Sequence, residues 1–255
     1  MMAADASAGS EPGDKPRSLL WPSILVAIAF CLLAGLGTWQ VERLSWKEGI
    51  LAQIEARSRQ IPVPIPAAPE WASLNPDDYE YRRVTLSGQF EHNQEALVFR
   101  PTGAIKGRPD GPGYHVLTPL RLDDGSRVIV NRGFVPLDRQ EATSRLDGQI
   151  RGPVTVTGLM RAPEARNMFT PADSPTKRLW YTRDTPSIAR ALNLENVAPF
   201  AVDADDADLP GGLPRGGATQ INVPNNHLSY ALTWYGLALT LAGVFGVFVW
   251  RRKKP

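Results

Sequence analysis

Two long apolar runs stand at either end of a chain whose middle alternates in short beats. From Leu228 to Trp250 no side chain is ionisable at neutral pH, and Arg251, Arg252, Lys253 and Lys254 follow at once. A helix rises 1.5 Å per residue, so about 20 apolar residues cross a bilayer core. Residues 228–250 therefore predict a transmembrane helix, and residues 19–40 predict another. Leu44, Glu48, Leu51 and Glu55 continue at helical spacing, which extends the first helix to about residue 59. A cleaved signal peptide would have a shorter apolar core and a small-x-small site after it. This run instead ends in Trp39-Gln40-Val41-Glu42-Arg43, so the helix is expected to stay. The stretch IPVPIPAAP, from Ile61, then stops any helix and reads as extended.

Between the runs, residues 60–226 carry short period-two segments bounded by Gly, Pro, Asp and Asn. Strands are expected over 82–90, 96–100, 114–122, 127–135, 154–160, 179–183 and 199–202, with a short helix from Thr185 to Leu192. The turn Asp123-Asp124-Gly125 makes a hairpin of the third and fourth, because Asp-Gly favours positive φ. The fold class that follows is a membrane protein. Two transmembrane α-helices flank a β-rich α+β domain, built as an antiparallel sheet or small barrel.

Charge adds orientation. Residues 1–18 are rich in Ala, Ser, Gly and Pro and read as a disordered tail, and residues 251–255 are a basic tail. A basic cluster directly after an apolar helix marks a cytoplasmic end. With two spans, both termini are then cytoplasmic and the domain between them lies outside. Mean hydropathy is −0.22, an average that conceals the two apolar runs. Net charge is only +2, so no large surface for nucleic acid is implied. Cys31 is the single cysteine, which leaves no intrachain disulfide, thiolate zinc site or Cys-x-x-Cys-His haem attachment.

The candidate chemistry centres on the start of the second run. His227, Tyr230, Ala231 and Trp234 fall at i, i+3, i+4 and i+7, on one side of a helix. A histidine with aromatic neighbours and a small gap could hold a flat, mostly apolar ligand. The competing reading is a helix cap below Asn225-Asn226, set in an interfacial aromatic belt. His92, in a predicted turn, and His115, in a strand, read as exposed polar residues. No paired carboxylates, Gly-x-Ser-x-Gly or phosphate loop is present, so no enzyme is expected. Small residues line one face of each run: Ala27, Cys31, Ala34 and Thr38 on the first, Gly236, Thr240, Gly243 and Val247 on the second. Such stripes predict close helix packing.

Several motifs occur together in order: Gly35-Leu36-Gly37-Thr38-Trp39-Gln40 with Arg43 and Lys47, Val84 to Phe90, Gly113 to Pro119, Val130-Asn131-Arg132-Gly133-Phe134-Val135-Pro136, and Asn225 to Tyr235. Together they resemble the Surfeit-locus family of cytochrome c oxidase assembly factors. Phe134 stands where that family usually has tryptophan, and Tyr235 where it often has phenylalanine; both keep a ring. The resemblance implies a bacterial inner-membrane protein with a periplasmic domain that receives haem a transiently and helps place it in the catalytic subunit of the oxidase. A haem a synthase would be a further partner. Asp5, Glu11 and Asp14 in the first residues are unlike an acid-poor mitochondrial presequence. The family's haem-associated histidine matches His227, which would ligate the iron. Tyr230, Trp234, Trp39 and Arg132 complete the implied cofactor-binding set. The rivals are a haem-free scaffold for an oxidase subunit and a membrane-tethered periplasmic hydrolase.

The orientation is directly testable. Alkaline phosphatase fused near Pro109 should be active, and the same reporter after Pro255 should be silent. Activity of the terminal fusion alone would reverse the topology.

Overall fold

A computed structural model, which describes residues 19–101, 111–217 and 226–254, carries both apolar runs as helices. The expected tail over 1–18, Asn225 of the last motif and the final Pro255 lie outside the described residues. Helix α1, Leu20–Ser58, is 39 residues long and runs on through the polar stretch beyond Gln40. It ends before Ile61-Pro62, because the residue preceding a proline is pushed out of helical backbone. The chain divides into two compact units. One gathers the residues up to Gly49 with those from Pro224 onward, and the other is Ile50–Val223.

In the second unit β1 (Val63–Pro64) precedes a one-turn helix α2 (Pro76–Tyr79), started by Asn75, whose side chain accepts from the Asp77 amide at 3.2 Å. Then come β2 (Arg83–Phe90), β3 (Ala96–Arg100), β4 (Gly113–Arg121), β5 (Arg127–Pro136), β6 (Pro153–Arg161) and β7 (Leu179–Trp180). Helix α3 (Thr185–Ala191) is capped by Asp184 and followed by β8 (Val197–Ala204). The last helix, α4 (His227–Lys253), belongs to the first unit.

Strand β2 pairs with β6, β6 with β8, β8 with β5 and β5 with β4; the end of β2 then returns to β4 through Gln89↔Arg121 and Phe90↔Leu120. Five strands thus close a small barrel. β3 takes the rest of the same β4 edge, β7 pairs with β3, and β1 pairs with β2. The expected antiparallel sheet is in fact mixed, since β1–β2, β3–β7 and β5–β8 are parallel. Alternation marks which residues are strand and which face they bury. It carries no information on the direction of a partner about 70 residues further along, as β8 is from β5.

The barrel interior packs Val84, Leu86, Leu120, Val130, Met160, Phe200 and Val202, with Trp71 and Tyr79 against Phe200. On the other side of β5, Ile129 joins Val98, Leu117 and Trp180 beneath Ile188 of α3. Both faces of β4 and β5 are therefore buried, which explains their near-continuous apolar runs. Gly133 is required where β5 bulges. Its φ is +126°, and a Cβ there would overlap the Arg215 carbonyl, next to the bridge that joins Phe134 to Arg215.

Burial on both faces also takes in polar groups. Glu95, 6% exposed, binds Arg145 at 2.8 Å and Arg132 at 3.3 Å. Burial pushes its carboxyl up, but the neighbouring His92 ring, hydrogen bonds from Arg145 and the two guanidinium charges outweigh that and hold it below its usual range. Nε2 of His92 meets the Ile150 carbonyl at 2.8 Å. His115 is 8% exposed, and its Nδ1 accepts from Arg100 at 3.3 Å and lies 3.4 Å from the Asn131 amide nitrogen. Neither histidine is the exposed residue its local sequence suggests; barrel closure and the cover over β4 enclose them.

Two outcomes follow. Gly133→Ala should destabilise the domain by about 1–3 kcal/mol, read as a lowered melting temperature, because the Arg215 backbone must shift. The second concerns pH. Burial, helped by the Arg100 charge, pushes the His115 imidazole down to about 4 from 6.5. The unfolded chain therefore takes up this proton before the folded one. The stabilisation is full above pH 6.5 and is lost as pH falls toward 4, by about 3 kcal/mol at about 1.4 kcal/mol per unit. Melting temperature should fall over that window, and His115→Gln should flatten the fall.

Candidate functional site

In the helix unit, α1 and α4 meet at the few polar groups their apolar runs carry. Nδ1 of His227 lies 2.7 Å from Oε1 of Gln40, which is 9% exposed. An amide oxygen only accepts, so Nδ1 carries the proton and Nε2 keeps its lone pair. An imidazole oriented through one nitrogen, with the other nitrogen open, is the arrangement of a metal-ligating histidine. Further along α4 the Tyr235 hydroxyl lies 3.0 Å from Thr38 Oγ1, which itself donates to the Ala34 carbonyl at 3.0 Å. The Tyr235 ring covers Gly37, where an added Cβ would come within 2.8 Å of it. Glycine there is what lets the ring lie against α1.

These contacts correct the expected packing faces. Gly236 and Gly243 have open space where a Cβ would stand, and Val247 is 50% exposed. The buried positions are Ala231 and Ala238 on α4, and Gly37 and Gln40 on α1, while Cys31 is exposed. Small residues permit close approach on several faces. The polar pairs choose among them, because an amide, an imidazole or a phenol without a partner in an apolar medium is costly.

Of the residues expected around a cofactor, His227 and Trp234 are half-buried and lie on the Ala231–Ala238 side of α4. Tyr230 is 56% exposed and turned off that side, and Trp39 is 53% exposed. Trp46 is equally exposed, with the Arg43 guanidinium 3.8 Å from its ring centroid, as suits an interfacial belt. Arg132 belongs to the sheet domain. Its guanidinium binds Glu95 and the Gly148 carbonyl and lies 4.9 Å from the Phe90 ring centroid. Burial pushes its pKa down to about 10, against the pull of Glu95. Those donors bind the protein itself, and they tie β5 to the segments carrying Glu95 and Gly148.

Gln40 is the residue that sequence reasoning passed over, since weight fell on the neighbouring Trp39. A signal was present: one amide ends the first apolar run and one imidazole opens the second. In an antiparallel helix pair those two ends share one membrane surface. Among the described residues no group of three or more His, Cys, Asp or Glu side chains could hold a metal ion.

A model of the SURF1 family matches residues 27–239. Human Surfeit locus protein 1 is 35% identical over an alignment covering 98% of this chain and 82% of that protein. The SURF1-like protein of Monosiga brevicollis is 36% identical, covering 98% and 94% respectively. That of Caenorhabditis elegans is 32% identical, covering 91% and 75%. The matched stretch runs from α1 through the barrel and into α4. The chain belongs to the SURF1 family.

Proposed function

We propose that the protein is a non-catalytic assembly factor for a haem-copper cytochrome c oxidase. It holds haem a as a transient cargo through Nε2 of His227 and aids its placement in the catalytic subunit. The observation that carries this reading is the 2.7 Å contact between His227 Nδ1 and Gln40, which orients the imidazole and, among the described residues, leaves its second nitrogen without a hydrogen bond. Neutral imidazole is an axial ligand for haem iron, and a carbonyl on its other nitrogen raises its basicity. Trp234 supplies an apolar ring on the same side of α4. Tyr230 and Trp39, both half exposed or more, serve the membrane interface or a docking subunit in this reading.

Both helices are long and apolar enough to cross a membrane. Arg251 and Arg252 at the end of α4 favour a cytoplasmic location for that end. The barrel domain then stands in the periplasm of a bacterial inner membrane, with His227 at the outer surface. The cargo passes between proteins at that surface, from a haem a synthase to the oxidase subunit, so the site needs an orienting ligand rather than an enclosing cavity.

The test is the absorption spectrum and haem content of variants co-expressed with haem a synthesis. His227→Ala should lose axial coordination and most bound haem while the barrel domain stays folded. Gln40→Leu keeps the ligand but removes its orienting carbonyl, and should weaken binding roughly 10–100-fold. His227→Ala with the wild-type spectrum and full haem content would remove the ligand role.

A further inference from the structure

Adjacent side chains in the β6–β7 connection break the rule that large apolar groups of a folded domain are covered. Met168 is 89% exposed and Phe169 is 84% exposed. Single exposed apolar residues are ordinary, but a neighbouring pair on a built turn is not. The Asn167 side chain accepts from the Phe169 amide at 2.9 Å, and Thr170 Oγ1 accepts from the Asn167 amide at 3.0 Å. Arg166 closes the base by gripping Asp173 and the Pro171 carbonyl, each at 2.5 Å, and Asp173 accepts from the Tyr181 amide at 3.0 Å beside β7. The tip is held in place before it touches anything, which removes much of the ordering cost of a contact.

The surroundings indicate what the tip meets. From Arg161 to Arg183 the chain has five cations and two carboxylates, and the two end arginines turn inward onto Asp203. Arg166, Lys177 and Arg178 are exposed, whereas Glu164 is paired with Arg100 and Asp173 with Arg166. An apolar tip on a segment whose exposed charged residues are all cationic has the chemistry of a segment that sits at an anionic lipid surface. The chain also enters and leaves this domain through helices able to cross a membrane, so a bilayer is always at high effective concentration. We propose that the Met168–Phe169 tip inserts into the headgroup–acyl boundary of an anionic bilayer, with Lys177 and Arg178 meeting the lipid phosphates. This rests on the reading that α1 and α4 span the membrane; it is independent of haem.

The test uses the full chain with Cys31→Ala, reconstituted in vesicles of mixed phosphatidylglycerol and phosphatidylcholine. Spin labels are placed singly at Met168→Cys, at Asp138→Cys as an aqueous reference and at Val244→Cys as a reference in the span. Accessibility to oxygen against a water-soluble nickel chelate gives depth. The label at 168 should lie about 5–10 Å below the headgroup level. It should rise toward water when Phe169→Asp is added, or when the vesicles are purely zwitterionic. A label at 168 as water-accessible as that at 138, with 244 still buried in lipid, overturns the proposal while leaving the spans intact. Protection at 168 only in native membranes would assign the tip to a protein partner and equally overturn it. Equal depth in zwitterionic vesicles would overturn the role of Lys177 and Arg178. A water-accessible label at 244 would instead remove the spanning reading itself.

Discussion

A carboxylate near the end of β8 governs how the barrel domain can be arranged. Asp203 is 4% exposed and takes a hydrogen bond from Asn131 of β5 at 2.9 Å and from Arg161 of β6 at 2.8 Å. Arg183, just ahead of α3, approaches it at 3.7 Å. A buried ion carries a desolvation penalty of several kcal/mol, so its surroundings must answer it with charge and hydrogen bonds. Arg183 also pairs with Glu164, and Glu164 with Arg100, whose Nε reaches His115. One carboxylate thus ties β8, β5 and β6 to the segment before α3, and through it to β3 and β4. Apolar packing supplies most of the driving force in both cores, but it is non-directional. The polar chain discriminates between registers that would bury the same valines and leucines.

The second cluster, around Glu95, has the same logic with an added consequence for the motif Arg132-Gly133-Phe134. Arg132 reaches inward to Glu95 and Gly148, Gly133 gives up its Cβ to the Arg215 backbone, and Phe134 bridges to Arg215. Three consecutive residues therefore hold the connection after β5 and the stretch around Arg215 against the barrel, Arg132 by its side chain and Gly133 and Phe134 through the backbone. In three dimensions the motif fastens the barrel to the segments packed on it.

In the helix unit a few polar atoms decide geometry that apolar residues leave open. An apolar helix in an apolar medium has little preference for any face. The pairs Gln40–His227 and Thr38–Tyr235 supply that preference and in doing so set the tautomer of His227. Helix packing and the orientation of the His227 ring are consequences of the same hydrogen bond.

The amino-acid pattern alone determined the two apolar helices, the reach of α1 to Ser58 and nearly every strand, because these depend on spacing between neighbours along the chain. It also singled out His227, since an imidazole at the mouth of an apolar run is conspicuous in any arrangement. Tertiary structure decided the rest. The parallel pairing of β5 with β8 joins residues about 70 positions apart, beyond the range of any local period. His92 and His115 read as polar surface until barrel closure enclosed them. Tyr230 shared a helical side with His227 on paper, yet that side is wider than the strip α1 covers, and Tyr230 fell outside it. Gln40 became part of the site only when a second helix brought an imidazole within 2.7 Å. Local order is written in residue spacing; partners, burial and protonation come from segments that meet only after the chain has folded.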